Sequence, residues 1–149
     1  MLVDLREVTI DNFEAIIELS LPDEQLGFVS SNLRSIAEAR FFPEIAMRAG
    51  YVGEEPVGFT MFSLNPSDGC YWIWKLMVDG RHQRKGYGRA MMAQVLERLR
   101  TEGESRAVKI SWYPDNAGAE RFYLGLGFRK TGEINRGQVE AILDLHATG

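Results

Sequence analysis

Apolar and polar positions alternate from Leu2 toward Thr9, and this period of two predicts a first strand. Phe13, Ile16, Ile17 and Leu19 then recur at helical spacing, which predicts a helix capped by Asp11 and ended by Pro22. After the irregular link Asp23 to Val29, a second helix is expected from Ser30 or Ser31 to Arg40, with Leu33, Ile36 and Ala37 facing inward. Strands over Ile45 to Val52 and Pro56 to Leu64 flank the turn Gly53-Glu54-Glu55, and a third follows the Asn65 to Gly69 turn, over Cys70 to Val78. The stripe Met92, Val95, Leu96 and Leu99 predicts a long helix ending near Gly103. Val108, Ile110 and Trp112 then mark a strand. Pro114-Asp115 opens a last helix with Ala119, Phe122, Tyr123 and Leu126 on its apolar face and Gly127 after its end. Phe128 to Ile134 and Val139 to Leu145, joined by Asn135-Arg136-Gly137, close the chain as a hairpin.

The resulting order, β-αα-β-β-β-α-β-α-β-β, specifies an α/β fold: a mixed, mostly antiparallel sheet with helices on both faces, in one domain spanning 1–149. Two strand-helix-strand crossovers are expected to make part of it parallel. A chain of 149 residues buries a real core without a disulfide or metal staple, and its one cysteine, Cys70, excludes an internal disulfide. With no basic-then-apolar leader and no membrane-length apolar run, the chain is expected to be cytoplasmic and independent of membranes.

Charge distribution refines this picture. The net charge of -4 argues against general nucleic-acid binding, whose phosphates demand a basic surface. Met1 to Glu44 carries nine acids against three bases, whereas Arg81 to Arg89 carries four bases and no acid. Such a division suits a cationic substrate meeting an anionic one, and it equally suits acids that merely decorate exposed helices. His82 and His146 have no partner spacing for a metal.

The basic segment lies where an apolar strand gives way to a helix. A strand, a glycine-containing loop and a helix in that order turn backbone N–H groups and a helix N-terminus onto a phosphate. Gly86 and Gly88 leave room for the ligand to approach the backbone.

Gln83-Arg84-Lys85-Gly86-Tyr87-Gly88 matches a Q/R-x-x-G-x-G/A signature, and Asn116-x-x-Ala119-x-x-x-Tyr123-x-x-x-Gly127-Phe128 follows it. Together they resemble the two motifs of the GNAT superfamily of acetyl-CoA-dependent N-acetyltransferases, over essentially the whole chain. Within it, Asp23-x-Gln25-Leu26-x-Phe28-Val29 with Asn32 and Ser35, and the aromatic strand before the loop, are similar to the bacterial Blt-type spermine/spermidine acetyltransferases. The resemblance implies a GNAT-like acyl-CoA N-acyltransferase fold and direct transfer of acetyl from acetyl-CoA to a primary amine of a polyamine. A protein, peptide or aminoglycoside-like amine is an alternative acceptor. A CoA-binding regulatory module without turnover is a third outcome.

The resemblance also implies roles. Backbone N–H groups from Arg84 to Gly88, including Lys85, Gly86 and Tyr87, would bind the CoA diphosphate, with charge from Arg84, Lys85 and Arg89. Met77 and Val78 would present backbone groups to the pantetheine and acetyl carbonyl, on a strand that bulges there. Asn116 would bond the pantetheine or cap its helix, and Tyr123 would be the general acid or plain core. The strand positions that hold a carboxylate base in several relatives are Trp72, Ile73 and Trp74 here. Proton removal is therefore expected through water, with Glu24 as the nearest acid. Asp23, Glu24, Gln25 and Phe28, with Trp72 or Trp74, would take the acceptor, although each tryptophan serves equally as core. Edge strands at the C-terminal hairpin admit a homodimer.

Overall fold

The computed structural model describes residues 2–27 and 29–146. Seven strands and four helices follow one another as β1 (Asp4–Glu7), α1 (Phe13–Glu18), α2 (Asn32–Ala39), β2 (Ile45–Val52), β3 (Glu55–Ser63), β4 (Tyr71–Val78), α3 (Tyr87–Glu102), β5 (Ala107–Trp112), α4 (Ala117–Gly125), β6 (Arg129–Asn135) and β7 (Gln138–Asp144). The order is the one expected from the sequence. The strands make one sheet, β1-β2-β3-β4-β5-β7-β6, in which β4 and β5 alone are parallel neighbours. The expected second parallel pairing does not form. Arg136 and Gly137, at φ 52° and 80°, make a tight hairpin turn that folds β7 back between β5 and β6. No helix among the described residues is long and apolar enough to cross a membrane.

One face of the sheet is covered by α3, whose Met92, Val95, Leu96 and Leu99 pack with Tyr71, Ile73, Val108, Ile110 and Trp112. Tyr123 of α4 and Phe128 join the same cluster. The opposite face receives α1, through Ile16 and Leu19 against Ala49, Phe59, Met61 and Met77. A β-bulge reassigns β4 between the faces: Met61 pairs with Lys75 but Phe62 with Ile73, leaving Trp74 as the extra residue. Tyr71 and Ile73 lie with α3, whereas Met77 lies with α1. The family resemblance implied the bulge near Met77 and Val78; it falls at Trp74 instead.

Helix starts and faces differ locally from expectation. Asn12, not Asp11, precedes α1, and its side chain bonds the Thr9 N–H and the Glu7 carbonyl rather than capping the helix. Helix α1 ends at Glu18, four residues before Pro22, because the chain is already extended at Leu19. Asn116 is the cap of α4, which begins at Ala117, beyond Pro114-Asp115. In α2, Asn32 and Ser35 are buried while Leu33 is 52% exposed and Ala37 is exposed as well. The polar side faces in because it has partners there. Asn32 Nδ2 donates to the Ile16 carbonyl at 2.8 Å, an oxygen in the last turn of α1 that also accepts from the Leu19 N–H at 3.2 Å, and Ser35 Oγ receives the Lys75 ammonium at 3.1 Å. Lys75 also donates to the Ser30 carbonyl and lies 5.7 Å from the Phe59 ring centroid. A buried lysine thus fastens α2 to β4.

A Cβ on Gly58 would lie 2.7 Å from the Met77 carbonyl oxygen, whereas one on Gly50 would meet only the Met91 thioether, at 2.7 Å. Gly58→Ala should cost about 1–3 kcal/mol and Gly50→Ala less, because backbone yields less than a methionine end. Equal urea midpoints for the two variants would refute that distinction.

Burial pushes the Lys75 pKa down to about 8, and the charge of Glu38 opposes the shift only in part. The folded chain then binds fewer protons than the unfolded chain between about pH 8 and 10.5, so stability should rise with pH across that window, by about 3 kcal/mol from this group. Urea denaturation from pH 7 to 10 should show the rise in wild type and a flatter profile in Lys75→Met.

Candidate active site

Strands β4 and β5 pair only through Tyr71 with Val108 and Trp72 with Lys109. Beyond that point the rest of β4, Ile73 to Val78, has no partner on the β5 side. The strands part to form a cleft of about 660 Å³, lined by Leu76, Met77 and Val78 on one wall and by Asn116, Ala119, Phe122 and Tyr123 of the α4 segment on the other.

The loop at the end of β4 closes one end of the cleft. Asp79 is buried and accepts from the Ser20 N–H at 2.9 Å, the Arg81 N–H at 3.1 Å and the Arg81 guanidinium at 2.9 Å. Burial alone would raise its pKa, but these hydrogen bonds and the Arg81 charge outweigh that and hold the carboxyl below the ordinary range. The Gly80 N–H returns a bond to the Ser20 carbonyl at 2.8 Å, so the segment after α1 is clamped against the loop. Gln83 donates to the Val78 carbonyl at 3.0 Å and exchanges bonds with Gln25 at 3.1 and 3.3 Å.

Arg84 and Gly86 both adopt left-handed backbone, at φ 65° and 83°. Residues alternating into that region turn successive N–H groups to one side, which makes a concave anion site. Helix α3 begins directly after Gly86 with no side-chain cap, so its first N–H groups have no intrahelical partner. The glycines differ in purpose. Gly86 is required by its φ, whereas a Cβ on Gly88 would make only ordinary contacts, at 3.5 Å to Val78 and 3.7 Å to Phe122. Glycine inside a helix costs about 0.5–1 kcal/mol, and at Gly88 it keeps the cleft floor open.

Most of the residues picked out by the sequence meet in this cleft. Arg84, Gly86, Tyr87, Gly88 and Arg89 line it together with Met77, Val78, Asn116, Tyr123 and Gln25. Lys85 is exposed and does not line it. Arg121 and His82 line it without having been singled out as site residues, as do Leu21 and Val29. For Arg121 the available signal was its place two residues before Tyr123 in the second motif. Neither Arg84, Arg89 nor Arg121 makes an ion pair among the described residues, while His82 meets Glu55 at 3.2 Å.

Tyr123 is 6% exposed, stacked on Trp112 at 5.6 Å and edge-on to Phe122 and Phe128. Burial pushes its pKa up, so the hydroxyl keeps its proton at any working pH. Asn116 Oδ1 accepts from the Ala119 N–H at 3.1 Å, so capping is real, while its residue still lines the cleft.

The expected acceptor residues are dispersed. Glu24 is exposed on the short turn beside Gln25 and does not line the cleft, Asp23 is likewise exposed, and Phe28 lies outside the described residues. Trp72 and Trp74 line a separate cavity instead. Among the described residues no group of three or more His, Cys, Asp or Glu side chains is placed to hold a metal.

Comparison with known proteins agrees with this architecture. The model of the acetyltransferase (GNAT) family matches residues 9–128. A spermine/spermidine N(1)-acetyltransferase of Bacillus subtilis is 27% identical over 144 residues, covering 91% of this chain and 93% of the relative. The fold superposes on a spermidine N-acetyltransferase from Vibrio cholerae, crystallised with CoA and spermine, with a TM-score of 0.75 at 14% identity, covering 97% and 96% of the two chains. A PaiA N-acetyltransferase from Thermoplasma acidophilum in complex with coenzyme A gives 0.75 at 14% identity, covering 97% and 99%. The splayed strands, the left-handed basic loop and the family match lead to one assignment: the chain belongs to the GNAT family and is an N-acetyltransferase with acetyl-CoA as its co-substrate.

Proposed function

We propose that this enzyme acetylates a primary amine of a polyamine, spermine or spermidine, by direct attack within a ternary complex. One observation supports the mechanism: beside the β4–β5 gap, Arg84, Gly86 and Gly88 of the basic loop line a single cleft together with Tyr123. The polyamine acceptor is supported by the curated relatives, one named a spermine/spermidine and the other a probable spermine N(1)-acetyltransferase.

In this reading the N–H groups of Arg84 to Gly88 hold the diphosphate, including those of Lys85 and Tyr87, and Arg84, Arg89 and Arg121 add charge from the cleft walls. Lys85 contributes charge from outside. The β4 edge at Met77 and Val78, which β5 does not pair, bonds the pantetheine, and Asn116 contributes from the opposite wall. The amine nitrogen bonds to the thioester carbonyl carbon, the C–S bond breaks, and Tyr123 gives its proton to the departing sulfur. The excess proton on nitrogen leaves through water, and water returns a proton to the Tyr123 oxygen. Glu24, exposed beside Gln25, takes the proton from nitrogen only at the end of such a water path.

Thiol release measured with spermine, spermidine, aminoglycosides and basic peptides tests the acceptor; fastest turnover is expected with the polyamines, and a preference for peptides would replace this reading. Tyr123→Phe should lower turnover at least tenfold, an effect of ~1.4 kcal/mol or more on the barrier, and unchanged turnover across pH would remove Tyr123 as the acid. Gly86→Glu places bulk and like charge at the diphosphate and should abolish CoA binding. Wild-type affinity by titration calorimetry would reject the loop assignment.

A further inference from the structure

A second cavity, of about 550 Å³, opens beside the first half of β4. Phe42 and Glu44, which follow α2, form one side, Trp72 and Trp74 form another, and Asn65, after β3, and Asn135, at the end of β6, line it as well. Trp72 lies between Tyr71 and Ile73, which pack with α3, so its side chain belongs to the opposite face of the sheet. The cavity is therefore on the face away from α3 and α4.

Its chemistry is specific. Glu44 is half-buried and makes no ion pair among the described residues. Phe42 meets Trp74 edge-on at 5.0 Å, so aromatic surface lines the same cavity as Glu44. Lys109 is the nearby cation, 5.7 Å from the Trp72 ring centroid, and Glu140 already pairs with it at 3.6 Å. The cavity is left with one uncompensated negative charge and an aromatic wall. Those features recognise an alkylammonium: the carboxylate neutralises the charge, while aromatic faces take up the methylenes and the cation–π contact.

Position puts it within reach of the reaction. Met77 borders the cleft that holds Tyr123 and lies on the α1 face, and Trp74 and Trp72 precede it by three and five residues on the same strand. At strand spacing that is roughly 10–17 Å, a span that a linear tri- or tetraamine covers and a short monoamine does not. We propose that the Glu44 cavity is a second-ammonium subsite, which selects acceptors carrying a further cation beyond the reacting amine. This inference rests on the amine-acceptor reading above. It adds Glu44 and Phe42 as specificity determinants and gives Trp72 and Trp74 a place away from the reacting end.

Glu44→Gln keeps the side-chain shape and removes the charge. With acetyl-CoA saturating, it should raise the KM for spermidine about tenfold, leave kcat within twofold, and leave kcat/KM for n-butylamine unchanged. In the presence of CoA, spermine should change the tryptophan fluorescence saturably, with a midpoint weakened by the same factor in the variant. Thermal melting confirms that the variant is folded. An equal loss for n-butylamine, or no shift for spermidine, would overturn the subsite while leaving acetyl transfer to amines intact. Saturable spermine binding weakened by Glu44→Gln, without turnover of any amine, would instead uphold the subsite and overturn the catalytic reading. Absence of both binding and turnover would overturn both.

Discussion

Two residue pairs hold β4 to β5, and the rest of the structure is arranged around their stopping there. Had the parallel ladder continued, the backbone groups of Leu76 to Val78 would be spent on β5 and no cleft would exist. The bulge at Trp74 marks the change, since it alters both the direction of β4 and which of its side chains face which helices. Sheet continuity is preserved elsewhere: β3 pairs with β4 through Val78, and β7 with β5 through Trp112. The sheet can therefore open at its centre because both halves are separately secured.

Each wall of the opening is anchored from outside. Asp79 ties the segment after α1 to the loop at the end of β4, and Lys75 ties α2 to the strand itself. Both anchors are buried charges surrounded by hydrogen bonds, which makes them costly to remove singly and strict about geometry. Aromatic packing does the same work on the other wall, where Trp112 and Phe128 hold the ring of Tyr123, a residue that lines the cleft.

Periodicity made the element order legible, because an apolar stripe such as Met92, Val95, Leu96 and Leu99 has one outcome wherever it packs. The loop was legible for a similar reason: Gly86 sits at a φ that favours glycine. The α2 face was not, because Asn32 and Ser35 turn inward only to meet a carbonyl of α1 and an ammonium of β4, partners distant in sequence. The acceptor side was obscured likewise. Trp72 and Trp74 were visible as aromatic residues, but their neighbours Phe42 and Glu44 come from the end of the α2 segment, which no local spacing connects to β4.

Lysine at position 75 also constrains the chemistry. A carboxylate next to the opening would serve as a base, yet this part of β4 presents an ammonium that α2 requires for its own attachment. In the proposed subsite, negative charge for an incoming cation comes from further along the sheet, at Glu44. In the proposed arrangement, separating the two functions has a kinetic consequence: charge at Glu44 governs how tightly a polycation is held, whereas loss of the proton from the attacking nitrogen depends on water. Acceptor affinity and the pH dependence of turnover are thereby set by different groups, and a substitution in one need not disturb the other.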